Sequence, residues 1–239
     1  MLTLLISLSF ASFVAFLIYI LFYSIILSTL AFLALFFGIN FFIGKFIFKK
    51  LTVLFSAVEK DMVASRFDQA ITKLKNGLSL SKWQFFVKKQ IYSQIGIIYY
   101  LRKQNDEAKR YFEMGFTKNW LAMSMKATLH FKNKEYDKMR DTMQKAIKGA
   151  KKEGFVYSVY AYFLSQINEK NKAIEILNQG AKKAPLDEKL QSNLDALRNG
   201  KKMKMQNYGQ LWMQLNISKI PQGIKPYQMI LASKRIKPR

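Results

Sequence analysis

The first 44 residues carry no charged side chain; Lys45 is the first. Wound as α-helix, such a run would reach ~66 Å at ~1.5 Å per residue. That is about twice the ~30 Å hydrocarbon thickness of a bilayer. One span would leave half of the run in water, so two spans back to back are predicted, over residues 3–22 and 25–44. Tyr23, Ser24 and Ser28 serve the turn between them. A single long tilted span with an apolar lead-in is the rival arrangement. A cleaved signal peptide has a basic start and ~7–15 apolar residues. Here Met1-Leu2-Thr3-Leu4 lacks basic side chains and the run is far longer, so a retained anchor is expected. Asn40 could bond across to the partner helix; its closeness to Lys45 favours a position wetted at the interface instead.

Charge is partitioned as sharply as hydropathy. The net charge is +24, from 39 Lys+Arg against 15 Asp+Glu, all beyond residue 44. Such a balance favours anionic partners: acidic proteins, acidic lipid head groups or nucleic acid. Lys45, Lys49 and Lys50 form a basic juxtamembrane segment over residues 45–50. Basic flanks stay on the cytoplasmic side, so both termini and everything after the anchor are expected in the cytoplasm, as in a bacterial inner-membrane protein. There is no cysteine, which excludes disulfides and thiolate chemistry. The one histidine, His130, reads as a surface or packing residue of a helix. Asp106-Glu107 and Asp187-Glu188 fall in first helical turns, where negative charge offsets the helix dipole. No phosphate loop or Gly-x-Ser-x-Gly elbow occurs. No catalytic, cofactor-binding or metal-binding residue is assigned, and the chain is not expected to be an enzyme.

From residue 51 the apolar positions recur at three and four, the helix period. Four segments share one pattern, a basic-polar turn followed by an acidic residue and a small or apolar one. They centre on Ala70, Ala108, Met139 and Ala173, spaced 38, 31 and 34 residues. This resembles the tetratricopeptide repeat, a 34-residue unit of two antiparallel helices. Gly96, Tyr99, Ala108 and Phe112 fall at that motif's small and aromatic sites in the second unit. Ala161, Leu164, Ala173, Leu177, Gly180 and Pro185 do so in the fourth, with Pro185 ending the second helix. The first unit keeps Ala70, Leu74 and Gly77. The third keeps Ala127 and Ala146, but His130, Met139 and Met143 replace expected small or aromatic residues. The resemblance covers residues 51–198. It implies an all-α chain: a transmembrane hairpin, then an α-solenoid of about four helix pairs, closed by a capping helix over Asp187–Arg198. An irregular helical bundle with the same period is the alternative.

In such a stack the first helices line a groove for peptide segments. Here those helices are expected over Lys88–Arg102, Trp120–Phe131 and Gly154–Ile167. Lys89, Tyr92, Ser93, Tyr100, Lys126, Tyr157 and Ser158 are the candidate groove residues, a basic and aromatic set suited to an acidic peptide. The tail, residues 199–239, is basic and contains Trp212, Met213, Leu215 and Ile217, which want burial. It either folds back onto the repeats, the preferred reading, or lies on the membrane with Lys on head groups. The expected function is a membrane-anchored scaffold binding proteins at the cytoplasmic face. An accessory subunit of a secretion, motility or envelope assembly is the alternative. A tether to anionic lipid or nucleic acid ranks lower, because the Lys residues are spread over all helices.

Overall fold

The computed structural model describes residues 1–217, and among these every regular element is helical. The basic end of the tail, Lys234–Arg239, lies outside the described residues. The chain falls into two compact units, Met1–Ile91 and Tyr92–Arg239.

In the first unit α1 (Leu2–Phe22) and α2 (Ile25–Val63) run antiparallel. Tyr23 turns the chain with a left-handed φ of 49°, and Ser24 caps α2 by accepting from the Leu27 N–H at 3.4 Å. Thr3, Ser7, Ala11 and Ala15 are buried at every fourth position of α1. Small side chains on one stripe let two apolar helices approach closely. The Ser28 hydroxyl uses that proximity to donate to the Ala15 carbonyl at 2.7 Å. Asn40 is not left to solvent, contrary to the expectation. Its amide donates to Ser7 Oγ at 2.6 Å and to the Phe36 carbonyl at 2.8 Å. Ser7 is wholly buried, and an unpaired polar group at such a place is costly. The outward faces are apolar, with Leu5, Phe13, Leu21, Ile26, Phe37 and Phe42 all exposed. Both helices are long and apolar enough to cross a membrane.

The second apolar helix does not stop where the charges begin. α2 is 39 residues long, ~58 Å, and no Pro or Gly interrupts it between residues 45 and 63. Ile47, Leu51, Val58 and Met62 are buried along it, and α3 (Phe67–Asn76) packs back with Ala70, Ile71 and Leu74. The first helix pair is thus a direct extension of the hairpin. Asp61 is buried at the turn of this pair, paired with Lys73 at 2.5 Å and Arg66 at 2.8 Å. The hydrogen bond from Lys73, then the charges of both cations, hold its carboxyl below the usual aspartate range. A 3-10 turn, Gly77–Lys82, leads to α4 (Val87–Leu101).

The second unit continues with α5 (Asn105–Glu113), α6 (Trp120–Lys132), α7 (Tyr136–Gly149), α8 (Gly154–Gln166), α9 (Lys170–Lys183) and α10 (Glu188–Arg198). After these come a 3-10 turn, Met205–Tyr208, and α11 (Gln210–Gln214). α6 packs on α7 and α8 on α9; α6 also touches α8, and α10 covers α8 and α9. Asn119 and Asp187 cap α6 and α10 through their side-chain oxygens. The bounds expected for the helices over Lys88–Arg102, Trp120–Phe131, Gly154–Ile167 and Asp187–Arg198 hold within a residue, whereas the helix expected over 25–44 runs on to Val63.

One turn recurs between paired helices. Ser65, Lys103, Lys134 and Asn168 all take φ near +60°, and Gly200 follows α10 in the same way. At each, the next residue's N–H returns to the carbonyl five residues earlier: Arg66 to Asp61, Gln104 to Tyr99, Glu135 to His130, Glu169 to Leu164 and Lys201 to Ala196. This is the Schellman closure, which satisfies the last free carbonyls of a helix. The residues expected to mark each second helix, Ala70, Ala108, Met139 and Ala173, lie five positions beyond it and are fully buried.

The pairs approach through small residues. A Cβ on Gly96 would lie 2.6 Å from the Phe112 ring, and one on Gly180 would lie 2.7 Å from Leu190 Cδ1 and 2.8 Å from Tyr157 Cβ. Ala161 and Leu177 are fully buried, and Tyr99 stacks on Tyr111 at 5.4 Å. In the third pair Met139 and Met143 are wholly buried, their flexible chains filling space that small and aromatic residues fill elsewhere. Pro185 is exposed just past the end of α9.

Gly180→Ala is therefore expected to cost about 1–3 kcal/mol, although Gly→Ala in an uncrowded helix gains ~1 kcal/mol. At the exposed Lys134, a change to Gly is expected to be neutral or mildly stabilising, and a change to Val to cost ~1–2 kcal/mol more. Thermal unfolding of the full chain in detergent checks both; equal melting points for the two Lys134 variants would contradict the left-handed turn.

Candidate functional site

α8 has a stripe at Phe155, Ser158 and Tyr162, one and two turns apart. Helical spacing puts all three on one face. That face is covered by the chain's own C-terminal segment. The Ser158 and Tyr208 hydroxyls share a hydrogen bond at 2.8 Å. Phe155 meets the Tyr208 ring edge-on at 5.0 Å, and Tyr162 meets Trp212 at 4.8 Å. Met205, Tyr208, Trp212 and Leu215 are all buried, so the tail through residue 217 packs on the helices of the second unit.

The backbone of this segment is gripped as well. Tyr100 of α4 donates its hydroxyl to the Leu215 carbonyl at 2.5 Å, and Lys132 of α6 donates to the Asn216 carbonyl at 2.8 Å. At the other end the buried Asn193 accepts from the Lys204 N–H at 2.8 Å. Burial pushes the Tyr100 and Tyr208 phenols well up, so both stay neutral. Burial, then the charge of Lys103, lowers the Lys132 ammonium. Within the segment, Trp212 Nε1 and Asn216 Oδ1 are buried without a protein hydrogen-bond partner. Beside the segment a recess of about 490 Å³ is lined by Ser165, Gln166, Lys170, Lys201, Lys202 and Gln206, among others, with no carboxylate in its wall.

The candidate groove residues separate into different roles. Tyr100 and Ser158 do face a peptide segment, but they are buried beneath it rather than open. Tyr157 belongs to the interior instead: it packs on Gly180 and donates to the Lys151 carbonyl at 3.0 Å. Ser93 is also interior, accepting from the Phe116 N–H at 2.8 Å. Lys126 is paired with Glu113 at 3.0 Å, and Tyr92 leans on Tyr111 at 5.8 Å. Lys89 is exposed on the first unit. Of the seven, Ser93, Tyr100, Tyr157 and Ser158 are buried rather than open to solvent. Side chains on α4, α6 and α8 that turn away from their own second helices meet the returning tail, while Tyr157 and Ser93 turn inward. Lys132, Phe155 and Tyr162 were not anticipated. The tail carried a readable signal, since Met205, Tyr208, Trp212 and Leu215 recur at three, four and three.

His130 is a packing residue. It is buried, and its Nδ1 lies 2.5 Å from Glu135 Oε2 across the α6–α7 turn. Lys138 meets the other oxygen at 3.0 Å. The next turn is tied similarly, with Arg140 bonded to both Asp137 and Glu169. Among the described residues no group of three or more His, Cys, Asp or Glu could hold a metal ion. No protein-family model matches the chain, and no curated protein matches it.

The hydrogen bond to His130, then that to Lys138, holds the Glu135 carboxyl at about 2 against a usual 4.5. A lowered folded-state value stabilises fully above pH 4.5, and that stabilisation is lost as pH falls towards 2. Glu135→Gln is expected to melt below the parent at pH 7, with the gap closing across that window. A gap independent of pH would refute the pairing as its cause.

Proposed function

We propose that this chain is a membrane-anchored adaptor of tetratricopeptide type that binds peptide segments at the cytoplasmic face of the membrane. The observation carrying this reading is the grip of Tyr100 and Lys132 on main-chain carbonyls of residues 215 and 216. Contacts to carbonyls do not depend on side-chain identity. A face that holds its own peptide in this way has the chemistry to hold another. Support for the repeat type comes from the turn that recurs every 31–38 residues and from the close approach at Gly96 and Gly180. Support for the anchor comes from α1 and the charge-free part of α2, residues 25–44, whose outward faces are apolar. The lysines at positions 45, 49 and 50 favour the cytoplasmic side for everything beyond them. The lysine-lined recess beside the segment favours a partner with carboxylates.

On this reading the tail occupies the binding face in cis, and a partner segment replaces it. The full chain carrying Trp212→Ala and Leu215→Ala is expected to bind a synthetic peptide of residues 204–217 in trans, saturably, by fluorescence anisotropy in detergent. The parent is expected to bind it far more weakly. Tyr100→Phe with Lys132→Gln in the same background is expected to lose most of that binding. No binding by a variant that retains its helical circular dichroism would overturn the peptide-binding reading. Protease added outside intact cells is expected to leave residues 51–239 uncut; digestion would reverse the orientation.

A further inference from the structure

From the last residue of the 3-10 turn into the first turn of α4 runs Lys82-Trp83-Gln84-Phe85-Phe86-Val87-Lys88-Lys89. This segment is fastened to the end of the apolar hairpin. The Thr3 hydroxyl donates to the Trp83 carbonyl at 2.7 Å, and the Met1 amino group bonds the Lys82 carbonyl. Gln84 lies against Gly44, where a Cβ would be 2.9 Å from its Nε2. Residues 82–84 therefore sit level with positions 1–3 of α1 and 44 of α2, where the uncharged run ends. Immediately beyond, Phe85 and Phe86 are 52% and 57% exposed, the same range as Phe46 and Phe48 on α2 at 56% and 69%.

Phe85 and Phe86 thus stand adjacent and more than half exposed at the level where the uncharged run ends. A bilayer interface rewards aromatic rings at its head-group level, with lysines around them on anionic lipid. Lys45, Lys49, Lys50, Lys82, Lys88 and Lys89 are all exposed in this unit. Residues 1–91 carry ten Lys and Arg against three acidic residues, Glu59, Asp61 and Asp68. We infer that the 82–89 segment is a third membrane contact, a foot that inserts Phe85 and Phe86 into the head-group boundary of an anionic leaflet and rests its lysines on phosphates. The foot rests on the membrane reading above. It fixes the first helix pair at the surface, beside the point where α2 emerges.

The chain has no native cysteine, so single spin labels report position without background. The full chain is reconstituted in vesicles of phosphatidylcholine with and without phosphatidylglycerol, labelled at Phe85→Cys, Phe42→Cys or Thr72→Cys. Accessibility to oxygen is read against that to a water-soluble nickel chelate. Position 42 lies within the second apolar span and position 72 is exposed on α3. Position 85 is expected to show a several-fold higher oxygen-to-nickel ratio than position 72 in anionic vesicles. Lys82→Gln with Lys88→Gln and Lys89→Gln is expected to bring it towards the value at 72. A lipid signal at 42 with an aqueous one at 85 overturns the foot and leaves the anchor standing. An aqueous signal at both overturns the anchor itself. A signal at 85 indifferent to lipid charge and to the three lysine changes overturns the electrostatic half of the proposal.

Discussion

The closure of each first helix by a residue in the left-handed region is the constraint on which the helix pairs depend. It reverses the chain within two residues and returns two N–H groups to the last helical carbonyls. The second helix then starts at a fixed offset, which places Ala70, Ala108, Met139 or Ala173 against the first helix each time. Lysine occupies this position twice, at 103 and 134. A lysine there costs more than glycine would, so the packing on either side must hold it in place. The buried Asp61 paired with Lys73, and Glu135 within 2.5 Å of His130, tighten the same junctions.

The continuity of α2 couples two parts that composition alone would separate. A helix without Pro or Gly between residues 45 and 63 transmits orientation rigidly. In the proposed setting, an emerging helix of this kind leaves the first pair no freedom to swing. The bond from Thr3 to Trp83 and the close fit of Gln84 on Gly44 fasten the far side of that pair to the same hairpin.

The covered face changes how an adaptor of this kind would work. A groove open to solvent binds whatever reaches it at sufficient concentration. A face already filled by Tyr208, Trp212 and Leu215 binds only what outcompetes an intramolecular segment, whose effective concentration is high. Selectivity in the proposed function would then arise from this competition as much as from the groove's own chemistry.

Much of the molecule was legible along the chain. The charge-free stretch specifies two long apolar helices because neither element length nor hydropathy depends on what packs nearby. The helix bounds and the 38, 31 and 34 spacing follow from local periodicity and small residues. What could not be read was which neighbour each polar group would find. Asn40 looked like an interfacial residue until Ser7 was brought against it. Ser93 and Tyr157 looked exposed because helical spacing says which residues share a face, not what that face meets. The tail's stripe at Met205, Tyr208, Trp212 and Leu215 announced burial without naming a surface. Sequence alone determined the helices and their order, through short-range periodicity and the cost of moving charge out of water. Only the tertiary structure decided which faces are filled, because that depends on contacts between residues as far apart as Tyr100 and Leu215.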